Sequence, residues 1–299
     1  MGVFLPHSLE EACELLDRVP DAEILAGGTD FMVEVNAGRR RPKAVVSLHG
    51  VPELTGWRRD GSDVVLGAGL TYTEMLGSEL ADLVPCLAQA ARTVGSPQIR
   101  NAGTIGGNLG TASPAGDTLP VLAALGAHIA VGRLGSTRTV TLDELISGPK
   151  RTSLEPGEII IDIRLPAGVG TQEFLKVGPR NAMIIAVANV ALVVDWAGRR
   201  VRAALGSVGP VIIRAVEAET FATSRIDWEE HRLVGGEDAL EEFAGLVRAA
   251  AHPIDDHRST ADYRRHAVGV CARRALERAL RHDAIGTPAD PFKDEPCVS

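Results

Sequence analysis

Apolar residues in this chain gather in short runs that alternate with stripes of helical spacing, and the change of period divides it into segments. Residues 3–5 form an extended stretch. Ser8 then precedes Leu9, Ala12, Leu15 and Leu16 at helical spacing, and Ser8 stands three residues before Glu11, the capping-box pattern of a helix start. A short apolar run over 23–26 stops at Gly27-Gly28. Residues 31–35 predict a helix and 44–48 a strand, which completes a small βαβαβ unit. Residues 64–69 read as a strand ending in glycines, with Thr71 or Thr73 placed to cap the helix after it. A longer helix is predicted over 83–94, with Leu87, Ala90, Ala91 and Val94 on one face. Strands follow at 128–131, 137–141 and 159–165.

A boundary falls near Pro166-Ala167-Gly168-Val169-Gly170. Beyond it, 172–177, 184–196 and 201–208 predict strands, and 239–250 and 260–281 predict helices. The last helix carries Ala267, Cys271, Ala275 and Ala279 at spacing four, with Val268 and Leu276 beside them. Its arginines, including Arg264, Arg265, Arg273, Arg274 and Arg278, fall mostly off that stripe, as on an amphipathic helix packed on a sheet. Residues 286–299 hold three prolines and are expected to form a loose tail.

Bulk properties narrow the function. The 299 residues are 45% hydrophobic and 23% charged, an ordinary globular composition with ample core. A net charge of -8 argues against general nucleic-acid binding, which rests on neutralising phosphates with Lys and Arg. The sharpest basic patch, Arg39, Arg40, Arg41 and Lys43, is bracketed by Gly38 and Pro42 and reads as a solvated turn. Cys13, Cys86, Cys271 and Cys297 are scattered without a CxxC, so neither a zinc ribbon nor an iron–sulfur loop is indicated, and a reducing, cytoplasmic setting is expected. Cys86 and Cys271 read as core fillers. No secretory signal or apolar run of membrane-spanning length is seen, and the chain is expected to be soluble.

Two segments carry candidate chemistry. The first is Ala26-Gly27-Gly28-Thr29-Asp30, between an apolar run and a helix. The second is Thr104-Ile105-Gly106-Gly107-Asn108, inside a polar stretch that continues through Thr111 and Ser113 to Asp117. Adjacent glycines accept positive φ without steric cost, so consecutive N–H groups can line one concavity and bind an anion, with the following helix N-terminus adding to the field. One such loop is ordinary punctuation. Two can grip a dinucleotide pyrophosphate from both sides. Neither is a Rossmann fingerprint or a Walker loop. Asp117 would repel a phosphate, so it is read either as an acceptor for a ribose or ribityl hydroxyl or as the N-cap of a helix over 118–125. No HExxH and no GxSxG is present.

The run AGGTD from Ala26, followed by TIGGNLGTASPAGDTLPVL from Thr104, resembles the FAD-binding medium subunit of the molybdenum hydroxylases, the family of carbon monoxide dehydrogenase and bacterial xanthine dehydrogenases. The likeness extends through EIIIDIRLP at Glu158, FLKVGPR at Phe174 and HRSTADYRRH at His257. It implies an α+β fold: a two-part FAD-binding domain of the vanillyl-alcohol-oxidase type over 1–170, with parts of about 1–56 and 57–170, then a smaller α+β C-terminal domain over 171–285. Leu25, Ala26, Gly27, Gly28, Thr29, Asp30 and Phe31 would grip FAD together with Thr104, Ile105, Gly106, Gly107 and Asn108, while Val94, Asp117, Ile160 and Lys176 stand where the family makes further contacts. A cation at Lys176 near the flavin would favour its reduced, anionic form. Without the family context, Lys176 reads as a surface lysine at a strand end.

The same resemblance implies an electron-transfer subunit without a catalytic residue of its own. Molybdopterin would lie on a large partner subunit and [2Fe–2S] clusters on a small one, in an (αβγ)2 assembly, with FAD passing electrons to NAD+, a quinone or another acceptor. Where relatives often carry an acidic residue four positions after the arginine matching Arg180, this chain has Ile184, so the acceptor and the substrate class stay open. The rival readings are a self-sufficient flavin-dependent oxidoreductase of related fold, a scaffold that has lost its cofactor, and a different enzyme class such as a nucleotide-sugar reductase of the same superfamily, which would not explain the C-terminal half.

Overall fold

The computed structural model describes residues 2–180 and 183–285. The tail expected over 286–299 lies outside the described residues. The chain opens with β1 (Gly2–Phe4), α1 (Leu9–Arg18), β2 (Ala22–Leu25), α2 (Phe31–Asn36) and β3 (Ala44–Ser47), and the strands pair in parallel in the order β1-β3-β2. Ser8 caps α1, its Oγ accepting from Glu11 N at 3.1 Å, while the Glu11 carboxylate accepts from His7 N and so closes the box one residue earlier than the sequence pattern implies. The α1 stripe Ala12, Cys13, Leu15 and Leu16 is buried against Val46, Val51 and Leu54.

A second sheet follows. Its strands are β4 (Trp57–Asp60), β5 (Asp63–Gly67), β6 (His128–Arg133), β7 (Ser136–Thr141) and, beyond the small β8 (Ile146–Gly148) and β9 (Arg151–Thr152), β10 (Ile159–Pro166). The order is β4-β5-β10-β6-β7, antiparallel throughout, with a bulge in β10 between Ile160 and Asp162. Between β5 and β6 lie α3 (Ser78–Leu83), α4 (Pro85–Arg92), α5 (Pro97–Ala102), α6 (Ile105–Thr111) and α7 (Thr118–Leu125), and the short α8 (Leu142–Leu145) follows β7. The single helix predicted over 83–94 is thus interrupted. Pro85 lacks an N–H and keeps Val84 out of the helical region, at φ -139° and ψ 68°, so a new helix starts there. The glycine-ended strand β5 leads into a single 3-10 turn, Glu74–Leu76; Thr71, rather than Thr73, supplies the hydroxyl that accepts from Glu74 N.

The third sheet comprises β11 (Thr171–Val177), β12 (Ala188–Asp195), β13 (Arg200–Gly206) and β14 (Ile213–Arg214), antiparallel in that order. Helix α9 (Val216–Arg225), the ribbon β15 (Ile226–Asp227) and β16 (Arg232–Leu233), α10 (Gly236–Ala250) and α11 (Ala261–Ile285) complete the chain. Every residue of β12 is buried because both sheet faces are covered: Ala191 and Val193 join the core under α4 and α7, while Val190, Leu192 and Val194 join the core under α9 to α11. The strand expected from Ile184 starts instead at Ala188. Met183 holds φ 51°, and Ile184 lies over Gly178, where a Cβ would stand 1.5 Å from its Cδ1.

Helix α7 is buried on all sides, which explains why it shows no stripe, since it packs on β12 and β13 as well as on α4 and β10. Each of its fully buried leucines contributes about 2 kcal/mol. Cys86 and Cys271 are buried core residues, as the sequence implies, and Cys86 Sγ donates to Gln172 Oε1 at 2.9 Å. Arg264 breaks the expected charged outer face of α11. It is buried and donates to the carbonyls of Val187 and Ser207 at 2.8 and 2.9 Å and to Asp256 at 2.7 Å. Among the described residues, no helix is long and apolar enough to cross a membrane.

Glu173 on β11 is buried with Arg278 of α11 at 4.0 Å, and burial raises its carboxyl to about 7 against the partial pull of that guanidinium. The folded state therefore holds a proton that the unfolded chain releases near 4.5, and stability should fall as pH rises from about 4.5 to about 7 and level off above it. Glu173→Gln should flatten that slope and raise stability at pH 8 by about 1–3 kcal/mol, read from urea midpoints across the pH range.

Candidate functional site

The first glycine segment leaves β2 at Leu25 and enters α2 at Phe31. Gly28 takes φ 72°, and its carbonyl accepts from Met32 N to start the helix. The N–H groups of Gly27, Gly28, Thr29 and Asp30 have no protein acceptor among the described residues, and the segment is only half-buried apart from the exposed Asp30. Four successive amides of this segment are thus left without a partner in the protein. Phe31 is buried, and Arg40 lies 4.3 Å over its ring while pairing with Glu23 and Glu34, so one arginine of the basic turn is fixed in place rather than solvated.

The second segment is built differently, and this corrects the expectation of a second positive-φ nest. Thr104 is the N-cap of α6, and Gly106 and Gly107 lie inside that helix with helical φ. Its first amides are spent within the protein: Ile105 N donates to Leu70 O at 3.0 Å, Gly106 N to Ala68 O at 2.8 Å and Gly107 N to Thr104 Oγ1 at 3.0 Å.

The glycines serve close approach. A Cβ on Gly106 would stand 2.6 Å from Ala68 Cβ and 2.7 Å from Ala68 O, and one on Gly27 would stand 1.7 Å from Ala102 O. A Cβ on Gly107 would stand 3.0 Å from Thr104 Oγ1 and 3.6 Å from Ala26 Cβ. The two segments therefore face each other across one seam. Thr111 Oγ1 donates to Asp30 Oδ2 at 3.3 Å across the same seam.

Asn108 Oδ1 accepts from Thr118 Oγ1 at 2.6 Å, which ties α6 to the start of α7, where Asp117 stands. Asp117 makes no capping bond. Its Oδ2 accepts from Lys176 Nζ at 2.5 Å and from Thr93 Oγ1 at 3.3 Å, and its Oδ1 from Asn189 Nδ2 at 3.0 Å. Lys176 is buried to 6% side-chain exposure and also donates to Thr93 O at 3.1 Å, which rules out the surface-lysine reading. Burial pushes the Asp117 carboxyl upward, and Lys176, Asn189 and Thr93 pull against it, so the carboxylate depends on that buried cation.

Val94 follows Thr93 in a turn whose carbonyls, Val94 O and Gly95 O, accept from Arg100 Nη1 at 3.0 and 3.1 Å. Ile160 is buried in the core cluster that also holds Ala68, Ile105 and Leu109. Sequence reading missed Asn189 and Arg100. An Asn inside the apolar run of β12 was the available signal, since a fully buried amide requires partners. Arg100 offered none. No group of His, Cys, Asp and Glu able to hold a metal ion occurs among the described residues.

Free consecutive amides beside a glycine-lined seam suit an anionic dinucleotide. Residues 1–168 match the FAD binding domain in molybdopterin dehydrogenase, and residues 173–279 match the CO dehydrogenase flavoprotein C-terminal domain. The chain belongs to the flavoprotein-subunit family of the molybdopterin dehydrogenases. It is 32% identical to the carbon monoxide dehydrogenase medium chain of Hydrogenophaga pseudoflava, over 92% of this chain and 95% of that one. It is 34% identical to the nicotine 6-hydroxylase medium subunit of Paenarthrobacter nicotinovorans, with the same coverage. Its fold superposes on a chain of the cyanide-inactivated Cu,Mo-CO dehydrogenase with a TM-score of 0.85 at 30% identity, covering 94% of this chain and 98% of that one. This flavoprotein subunit is an FAD-binding component of an oxidoreductase, with the α+β fold that the resemblance implied.

Two substitutions test the site. Gly107→Val keeps an allowed backbone but crowds Thr104 Oγ1, the cap of α6, and Ala26 across the seam, and should weaken FAD binding by about a hundredfold in a fluorescence titration. Lys176→Met leaves Asp117 as an uncompensated buried charge and should cost about 3–5 kcal/mol in chemical denaturation, most of it regained in the Asp117→Asn/Lys176→Met double variant.

Proposed function

We propose that this flavoprotein subunit relays electrons inside a three-component molybdenum hydroxylase. A large partner subunit would carry molybdopterin and hydroxylate the substrate, a small one would carry [2Fe–2S] clusters, and two such trimers would associate as (αβγ)2. The chemistry FAD supplies when bound is uptake of electrons one at a time from iron–sulfur clusters and release of a pair to NAD+, a quinone or another acceptor.

The chain's own residues bind and orient. The free amides of Gly27 to Asp30 would take the pyrophosphate, flanked by Leu25, Ala26 and Phe31. Thr104, Ile105, Gly106, Gly107 and Asn108 would form the opposite wall, with Gly106 and Gly107 letting α6 approach closely. Val94, Asp117, Ile160 and Lys176 would complete the contacts, the Lys176–Asp117 pair holding the Thr93–Val94 turn in place. The scattered, buried Cys13, Cys86 and Cys271 support a cytoplasmic setting. The observation that carries the reading is the row of four unpaired amides that begins next to Ala26, where the first segment meets Gly107.

Affinity capture of the tagged chain from its native host, with a visible spectrum and mass spectrometry of the captured chains, tests the proposal. Flavin bands with one large molybdopterin subunit and one small iron–sulfur subunit are expected. Flavin on a lone chain would favour a self-sufficient flavoenzyme, and a chain without flavin would leave only a scaffold.

A further inference from the structure

Tyr72 plays no part in the site as described so far. It follows β5 in the run Gly67-Ala68-Gly69-Leu70-Thr71-Tyr72, and its N–H donates to Gly103 O at 3.1 Å while Thr71 forms a β-bridge with Thr104. Its ring lies against Gly103, where a Cβ would meet Cε2 at 2.7 Å and Cδ2 at 3.0 Å. Gly27 packs on the same residue, its own Cβ position 3.0 Å from Gly103 Cα. Tyr72 and the first glycine segment thus both pack on the residue that introduces the second.

The residue is 6% exposed, and its phenolic hydroxyl, which has no hydrogen-bond partner among the described residues, keeps contact with solvent. A hydroxyl that reaches solvent from an otherwise buried ring can donate to a bound molecule without giving up a partner within the protein. Around it, burial first, then the negative charges of Asp117 and Asp30, hold the proton on the phenol and keep it a donor. Both carboxylates belong to the candidate site, so the hydroxyl stands in the field of the two groups at its margins. Those carboxylates would accept from cofactor hydroxyls and repel its phosphates. The site then calls for a neutral donor toward oxygen acceptors, and Tyr72 supplies one.

We propose that Tyr72 contacts the cofactor directly, its hydroxyl donating a hydrogen bond to an oxygen of FAD held between the two glycine segments, a phosphate or a ribityl oxygen. The inference rests on the FAD reading of the same seam. Tyr72→Phe in the full chain removes only the hydroxyl, which no protein group uses.

FAD affinity, measured by titration of the apoprotein, should weaken about tenfold, while the melting temperature of the apoprotein stays within about 1 °C of wild type. Tyr263→Phe, at an exposed tyrosine, should change neither. FMN and ADP used separately as probes then locate the acceptor: a loss confined to FMN assigns it to the ribityl side, and one confined to ADP assigns it to the adenylate side. Unchanged FAD affinity in Tyr72→Phe would overturn the proposal, and so would an apoprotein that melts several degrees lower, which would show a partner within the protein. A wild-type chain that takes up no FAD would overturn the cofactor reading itself, a result distinct from either.

Discussion

The buried pair of Lys176 and Asp117 is the contact on which the arrangement of the site depends. One partner comes from a strand of the third sheet and the other from the N-terminus of α7, which lies in the core of the second sheet. Removing two charges from water costs several kcal/mol each, and the cost is offset only where geometry is close and the remaining polar positions are filled. Here most are: Asn189 Nδ2 donates to the carboxylate and Thr93 O takes a second proton of the ammonium, while Asn189 Oδ1 stays buried without a partner. The pair links the FAD-binding part to the C-terminal part.

That meeting is reinforced by shared core. Helix α7 is covered on every side, and Phe174, Ala191, Val193 and Ala204 of the third sheet belong to the same cluster as Leu119, Leu122 and Leu125. Ser207 N donates to Pro114 O at 2.8 Å, and Arg264 holds Ser207 O from the other side, so the C-terminal helix braces the polar stretch that precedes Asp117. The C-terminal part in this sense supports the candidate site, although the two glycine segments lie well before it in the chain.

The glycine segments divide the work. The first keeps its amides free, and the second spends them on Leu70, Ala68 and Thr104 to seat α6 against β5. Two sequences with the same Gly-Gly signature thus serve different ends, one offering donors and the other permitting contact between backbones. Their fit depends on Gly27, Gly106 and Gly107 together, because a single Cβ at the first two would overlap backbone atoms and one at the third would narrow the seam.

Much of this was legible in the chain itself. Alternating apolar runs located the first βαβαβ unit, the hairpin of β6 and β7 and the amphipathic α11, because each buries one face and so carries a period. The two Gly-Gly motifs stand at the seam, although the second serves close approach rather than the positive φ that the sequence suggested. Helices α5, α6 and α9 carried no stripe: α5 and α6 are short and rich in small or polar residues, and α9 buries only Ala218, Glu219 and Ala222. What tertiary structure alone decided was the use of groups whose partners lie far along the chain. Glycines that looked free to turn became contact points, a lysine that looked solvated became half of a buried pair, and Asn189 became the support of a residue remote in sequence. Periodicity records which face of an element is buried, but the pairing of one charge or amide with another is set by the distance between elements after they pack.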